Sequence, residues 1–134
     1  MRVLRVVLVA SMFGMMIASP LAAADLKDKV KVEVDSVGLH PGMDPAMYVC
    51  AGGHLHIKGT VQNLAEVPLR QVKVAGRAFD GDGKLLGTAT TMTKVKQVAP
   101  GQKVEIDLEF LTVSGAVIEQ VKRHEIRVLE APSL

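Results

Sequence analysis

The sequence predicts an all-β fold, an antiparallel β-sandwich of six to seven strands that follows a cleaved signal peptide. Apolar and charged residues alternate with a period of two in several separate segments, which is typical of strands with one buried and one solvated face. Turns rich in glycine, proline and aspartate separate these segments. No long helical pattern and no internal repeat occurs between them, as expected of an antiparallel sandwich.

Six segments carry the strand pattern: residues 30–35, 55–63, 72–79, 84–91, 103–110 and 125–129. The alternation is clearest at 103–110, where aliphatic residues and a phenylalanine alternate with charged residues. The run DGDG at 80–83 predicts a hairpin turn between two of the strands. Residues 114–123 are expected to form a short helical turn or a loop. Residues 38–53 are expected to be the longest irregular loop, because prolines and glycines interrupt them.

The amino-terminal residues 1–24 have the three parts of a secretory signal peptide. Arg2 and Arg5 supply the positive charge, residues 6–18 are apolar, and a run of small residues precedes the expected cleavage position. The apolar stretch is shorter than the roughly 20 residues that cross a bilayer. We therefore expect a mature protein that begins near Asp25, is periplasmic or secreted, and has no stable membrane insertion.

The remaining residues, 25–134, are expected to form a single β-sandwich domain. Two of the 16 Lys and Arg lie in the predicted signal peptide, so the other 14 balance the 14 Asp and Glu. No basic block with interleaved aromatic residues occurs, and nucleic acid is therefore not an expected partner. Cys50 is the single cysteine, which excludes an internal disulfide.

Residues 54–110 resemble the FxLYD domain family, an immunoglobulin-like module of exported bacterial proteins. The resemblance rests on the segments 59–63 (GTVQN), 68–74 (PLRQVKV) and 79–87 (FDGDGKLLG), followed by the turn APGQ at 99–102. It implies an exported immunoglobulin-like β-sandwich that acts in adhesion or interaction. It implies no catalytic residues.

The sequence carries no catalytic motif, so we expect a protein that is not an enzyme. No serine of the mature part lies in a Gly-x-Ser-x-Gly turn. The DGDG run resembles the start of a calcium loop, but Thr91 stands where a bidentate glutamate is required, which favours a plain hairpin turn. A thiol enzyme built on Cys50 lacks the support of a Cys-x-x-Cys pair.

The main expectation is an accessory or interaction domain without a cofactor, which binds a protein or cell-envelope partner through residues 38–53 or an exposed strand edge. The alternative is a periplasmic copper-handling protein, because imidazole, thioether and thiol groups suit Cu(I). The candidate ligands are His40, Met43, Met47, Cys50, His54 and His56. His54 and His56 would project from one face of a strand. The same residues also fit structural roles, with methionines packed beneath a loop.

Overall fold

The structure is a computed structural model that describes residues 24–34 and 46–134. The predicted signal peptide, apart from Ala24, lies outside the described residues, as does the first half of the predicted loop, residues 38–45. Within the described part, no helix has the length and apolar character that crossing a bilayer requires.

Antiparallel strands make up most of the described residues, which confirms the predicted all-β sandwich. The strands are β1 (Val30–Val34), β2 (Met47–Val49), β3 (His54–Asn63), β4 (Leu69–Arg70), β5 (Lys73–Phe79), β6 (Leu85–Met92), β7 (Gln97–Val98), β8 (Lys103–Ser114) and β9 (Arg123–Glu130). A 3₁₀ turn at Lys27–Lys29 precedes β1, and a short helix, α1 (Ala116–Gln120), joins β8 to β9.

The first sheet is centred on β3, the strand that carries both candidate histidines. Along one side of β3 runs β8, with Leu55 opposite Phe110 and Lys58 opposite Asp107. Along the other side, β1 pairs with the carboxyl-terminal half of β3 and β2 pairs with its amino-terminal half. The strands β1 and β2 therefore lie end to end beside β3.

The second sheet has β5 at its centre, with β6 and β9 on either side, while β4 and β7 form a separate two-stranded ribbon. The core lies between the two sheets, where Leu108 and Phe110 pack against Gly76 of β5. The apolar residues of β3 and β8 that are buried here occupy alternate positions, as the sequence pattern predicts: Leu55, Ile57, Val61, Ile106, Leu108 and Phe110.

The opposite face of the first sheet is polar, and it carries the candidate site. Because successive side chains of a strand point to opposite faces, His54 and His56 of β3 project away from the core. Asp107 and Glu109 project to the same side from β8. The register places His56 directly opposite Glu109.

The six predicted strand segments correspond to the six longer strands of the described residues, and α1 lies within the predicted 114–123 segment. The expectation that 38–53 is irregular throughout is wrong at one place, because Met47–Val49 forms β2 against β3. A three-residue strand is too short to show an alternating pattern, and its hydrogen bonds come from a strand that follows it in sequence.

The run DGDG forms the predicted hairpin turn. The Asp80 carboxylate accepts hydrogen bonds from the backbone N–H groups of Asp82 at 2.9 Å and Lys84 at 2.8 Å. Gly83 adopts a φ of 82°, which glycine reaches without a Cβ clash. The carboxylate of Asp80 is thus engaged in forming the turn.

Gly59 is required where β1 and β3 approach each other. A Cβ at this position would lie 2.6 Å from the carbonyl oxygen of Glu33, which is backbone and cannot rotate away. We expect Gly59→Ala to lower the free energy of unfolding by about 1–3 kcal/mol, the usual cost of overpacking. Urea unfolding measures this change. Gly81→Ala is the control, since its Cβ would meet only Lys122 at 3.7 Å; equal stability of the two variants would contradict the prediction.

Candidate functional site

The turn between β2 and β3 brings Cys50 beside the histidines. The backbone N–H of Cys50 donates to the carbonyl oxygen of His54 at 3.1 Å, and that of Gly53 donates to the carbonyl oxygen of Cys50 at 2.9 Å. Gly53 has a φ of 82°, so the tight turn depends on glycine there. As a result the Cys50 Sγ lies 3.8 Å from His54 Nδ1.

His56 is held by two side chains from the neighbouring strands. Its Nδ1 lies 2.8 Å from Asp107 Oδ1, and the Tyr48 hydroxyl donates to the other oxygen of the same carboxylate. The Tyr48 ring also stacks on the imidazole, with ring centroids 4.7 Å apart. Because a carboxylate only accepts hydrogen bonds, the neutral imidazole carries its proton on Nδ1 and its lone pair on Nε2.

The Nε2 atom of His56 is a buried polar atom whose hydrogen-bonding capacity is not used within the described part of the chain. It is buried and has no hydrogen-bond partner among the described residues, in a residue that is only 9% exposed. The nearest acidic oxygen, Glu109 Oε1, is 4.0 Å away. A buried polar atom without a partner costs free energy, so its presence calls for an explanation such as a bound ion.

Three potential ligand atoms converge at this point. One atom each from Cys50, His56 and Glu109 lie within 4.8 Å of one another. The Nδ1 atom of His54 lies 3.3 Å from Glu109 Oε1, which places a second imidazole at the edge of the group. We refer to Cys50, His54, His56 and Glu109 as the Cys-His-Glu cluster.

The surroundings of Cys50 favour the thiolate. The hydrogen bond from the backbone of His54 is the largest influence, and the nearby His56 side chain, the Gly52 backbone and the His54 side chain act in the same direction. Burial acts against them, and together they lower the pKa of the Cys50 thiol to about 7. Thiolate is the form of cysteine that binds metals and reacts with electrophiles.

The pKa values of His56 and Tyr48 are both raised. For His56, burial lowers the pKa, but the hydrogen bond to Asp107 and the negative charges of Asp107 and the nearby Cys50 thiolate outweigh it, so the net pKa is raised. For Tyr48, burial and the hydrogen bond to Asp107 both raise the pKa of the hydroxyl, which keeps its proton at neutral pH. Tyr48 therefore acts as a hydrogen-bond donor that supports Asp107.

The lowered pKa predicts the reactivity of Cys50. In metal-free protein, the rate of alkylation by iodoacetamide is expected to rise as pH increases through about 7, because the thiolate forms above the pKa. In His56→Ala the midpoint should move to higher pH, since the nearby imidazole that favours the thiolate is lost. Mass spectrometry over a pH series measures both rates. A wild-type midpoint near the value of about 8.5 for an ordinary cysteine would contradict the prediction.

The structure separates the ligands predicted from the sequence. It brings Cys50, His54 and His56 together, but Met47 lies on the other face of β2, 2% exposed in the core and opposite Ile57. It does not join the other three, because alternate positions of one strand face opposite sides. The remaining two predicted ligands, His40 and Met43, lie outside the described residues.

Three residues of the site were not predicted from the sequence: Tyr48, Asp107 and Glu109. The alternation of β8 indicates that its acidic residues share the solvated face. It does not indicate that β8 pairs with β3 in the register that sets Glu109 opposite His56. The sequence pattern therefore indicates an acidic face on β8, but it does not indicate which strand lies beside that face.

The fold and the cluster together define a small all-β domain with a candidate transition-metal site on one sheet.

No protein-family profile matches this chain, and no curated protein matches it. The crystal structure of a DUF1425 family member from Shewanella sp. pv-4 is similar with a TM-score of 0.45 and 15% sequence identity, over 78% of this chain and 81% of that chain. A similarity this low carries no argument about function. The FxLYD resemblance is not shown beyond the β-rich fold that it implied.

Proposed function

We propose that this chain is an exported, non-enzymatic β-sandwich accessory domain that binds a transition-metal ion through Cys50, His56 and Glu109. The observation that carries the proposal is the buried Nε2 of His56, which lacks a partner among the described residues. An ion bound between the three side chains gives this atom a partner and uses its lone pair.

The chemistry of the three groups supports this function. Thiolate, imidazole and carboxylate are the side chains that bind transition metals in proteins. Metal-ligating histidines commonly donate their second ring N–H to a carboxylate, which fixes the tautomer and the ring orientation. Asp107 occupies that position at 2.8 Å from Nδ1, with Tyr48 donating to it in turn.

The position of the cluster supports uptake of the ion from solvent. The Glu109 side chain is 46% exposed and that of His54 is 31% exposed, whereas that of His56 is 11% exposed. An ion would therefore reach the cluster from the solvated face, with His56 at its inner side. A site of this kind suits a protein that carries or buffers a metal ion in the export compartment.

Metal titration of the purified, chelator-treated protein tests the proposal. We expect one ion per chain by equilibrium dialysis and a rise in melting temperature, since free ion at 100 times Kd stabilises the folded state by about 2.7 kcal/mol. Cys50→Ser should lose most of this effect, and Thr60→Ala, on the same face of β3, should keep it. Equal binding by wild type and Cys50→Ser would contradict the proposal.

The second candidate function is binding of a protein or cell-envelope partner, and the edge of the first sheet formed by β1 favours it. Among the described residues, no strand pairs with the outer side of β1, whose backbone groups are thus available for strand addition. Photo-crosslinking in cells tests it. A specific adduct from Lys31 on β1, and none from Lys84 beside the DGDG turn of the second sheet, would support this role. The same adducts at both positions would contradict it.

A further inference from the structure

The donor atoms of the Cys-His-Glu cluster also indicate which class of ion it binds, an inference that rests on the proposed function. Within the described part of the chain, this cluster offers one sulfur, two imidazoles and one carboxylate. Cu(I) is best served by thiolate and thioether sulfur, whereas Zn(II) accepts Cys, His and Glu ligands together. The only thioether of the predicted ligand set that the described residues include, Met47, is buried on the opposite face of β2.

We infer that the bound ion is a divalent cation of the zinc class, with Glu109 as a direct ligand and His54 as the fourth. The carboxylate of Glu109 lies between both imidazoles, 4.0 Å from His56 Nε2 and 3.3 Å from His54 Nδ1. Cys50 Sγ lies 3.8 Å from His54 Nδ1. The ligands of one tetrahedral zinc, at bond lengths of about 2.0–2.3 Å, are separated by about 3.3–3.8 Å.

The role of His54 follows from its position next to two of the ligands. Its Nδ1 is near the thiol and the carboxylate in the described geometry, while the three other ligand atoms already lie within 4.8 Å of one another. These two contacts, 3.3 Å to Glu109 Oε1 and 3.8 Å to Cys50 Sγ, place the partly exposed His54 side chain at the edge of the same group of ligands. Four protein ligands then close the coordination shell, as in structural rather than catalytic zinc sites.

Competition titrations distinguish the zinc class from Cu(I). Metal-free protein is titrated anaerobically with Zn(II) and, separately, with Cu(I), each against a competing chelator. We expect one Zn(II) per chain. Loss of an outer-shell partner lowers metal affinity by about 10-fold or more, and Glu109→Gln, which removes a direct ligand, should lower the Zn(II) affinity by more than about 10-fold. Glu105→Gln, on the same face of β8, is the matched control and should bind Zn(II) as wild type does. Cu(I) affinity should not respond to Glu109→Gln.

Co(II) added in place of Zn(II) reports the coordination directly. We expect a thiolate-to-cobalt absorption band and tetrahedral d–d bands, which weaken or change shape in His54→Ala. Two results would overturn the zinc-class inference and leave metal binding intact: Zn(II) affinity that is equal in wild type and Glu109→Gln, or Cu(I) binding without Zn(II) binding. Failure of both ions to bind would overturn the proposed function itself.

Discussion

Phe110→Ala is expected to lower the free energy of unfolding by about 3–5 kcal/mol, the range measured when a buried aromatic ring is truncated to alanine. Phe110 is fully buried, and its ring fills the space that two glycines leave in the second sheet. The ring atom Cζ lies 3.0 Å from the Cβ position of Gly76, and Cδ1 lies 3.9 Å from that of Gly87. Backbone on both strands limits how far this space can close after truncation.

The effect is large because this core has few aromatic residues. The chain has no tryptophan and only three phenylalanines. Urea unfolding followed by far-UV circular dichroism measures the change. Leu111→Ala is the control, because Leu111 is the next residue of β8 and is 66% exposed. Substitutions in general lower the free energy of unfolding by about 1 kcal/mol on average. A smaller loss than this for Phe110→Ala would contradict the described packing.

His56→Ala is expected to weaken metal binding by at least about 100-fold, since loss of an outer-shell partner alone costs 10- to 100-fold. This factor corresponds to about 2.7 kcal/mol of binding free energy. The physical reason is that His56 supplies the one buried ligand atom and is pre-oriented by Asp107. The remaining ligands, Cys50, Glu109 and the inferred fourth ligand His54, would leave the coordination shell incomplete and without its buried member.

Competition with a chelator measures this loss, and the melting temperature of the metal-free variant shows whether it is folded. Thr60→Ala is again the control from the same face of β3. Asp107→Asn gives a second test that keeps the ligands, with an expected loss of about 10- to 100-fold. Wild-type affinity in a folded His56→Ala protein would exclude His56 as a ligand.

Much of the fold could be predicted because the strands of the two sheets have one apolar and one polar face. The alternation at 103–110 predicts both that β8 is a strand and that Ile106, Leu108 and Phe110 are buried. The DGDG turn was predictable from its local chemistry, since aspartate and glycine satisfy the turn without help from distant residues. By contrast, β2 depends on hydrogen bonds to β3, which no local pattern indicates.

The candidate site could be predicted only in part. Cys50, His54 and His56 lie close together in sequence, so a local search finds them. Asp107 and Glu109 are more than 50 positions away from His56, and only strand pairing brings them near it. The sequence also did not separate Met47 from Cys50. The short strand that begins at Met47 was not predicted, so the face on which the Met47 side chain lies could not be predicted either.

X-ray absorption spectroscopy of the zinc-loaded protein tests most directly the claim that the Cys-His-Glu cluster binds metal. The fine structure at the zinc edge should show one sulfur at about 2.3 Å and lighter nitrogen and oxygen ligands at about 2.0–2.2 Å, with the scattering pattern of imidazole. The sulfur contribution should disappear in Cys50→Ser. A first shell without sulfur in the wild-type protein would contradict the assignment of Cys50, His56 and Glu109 as the site.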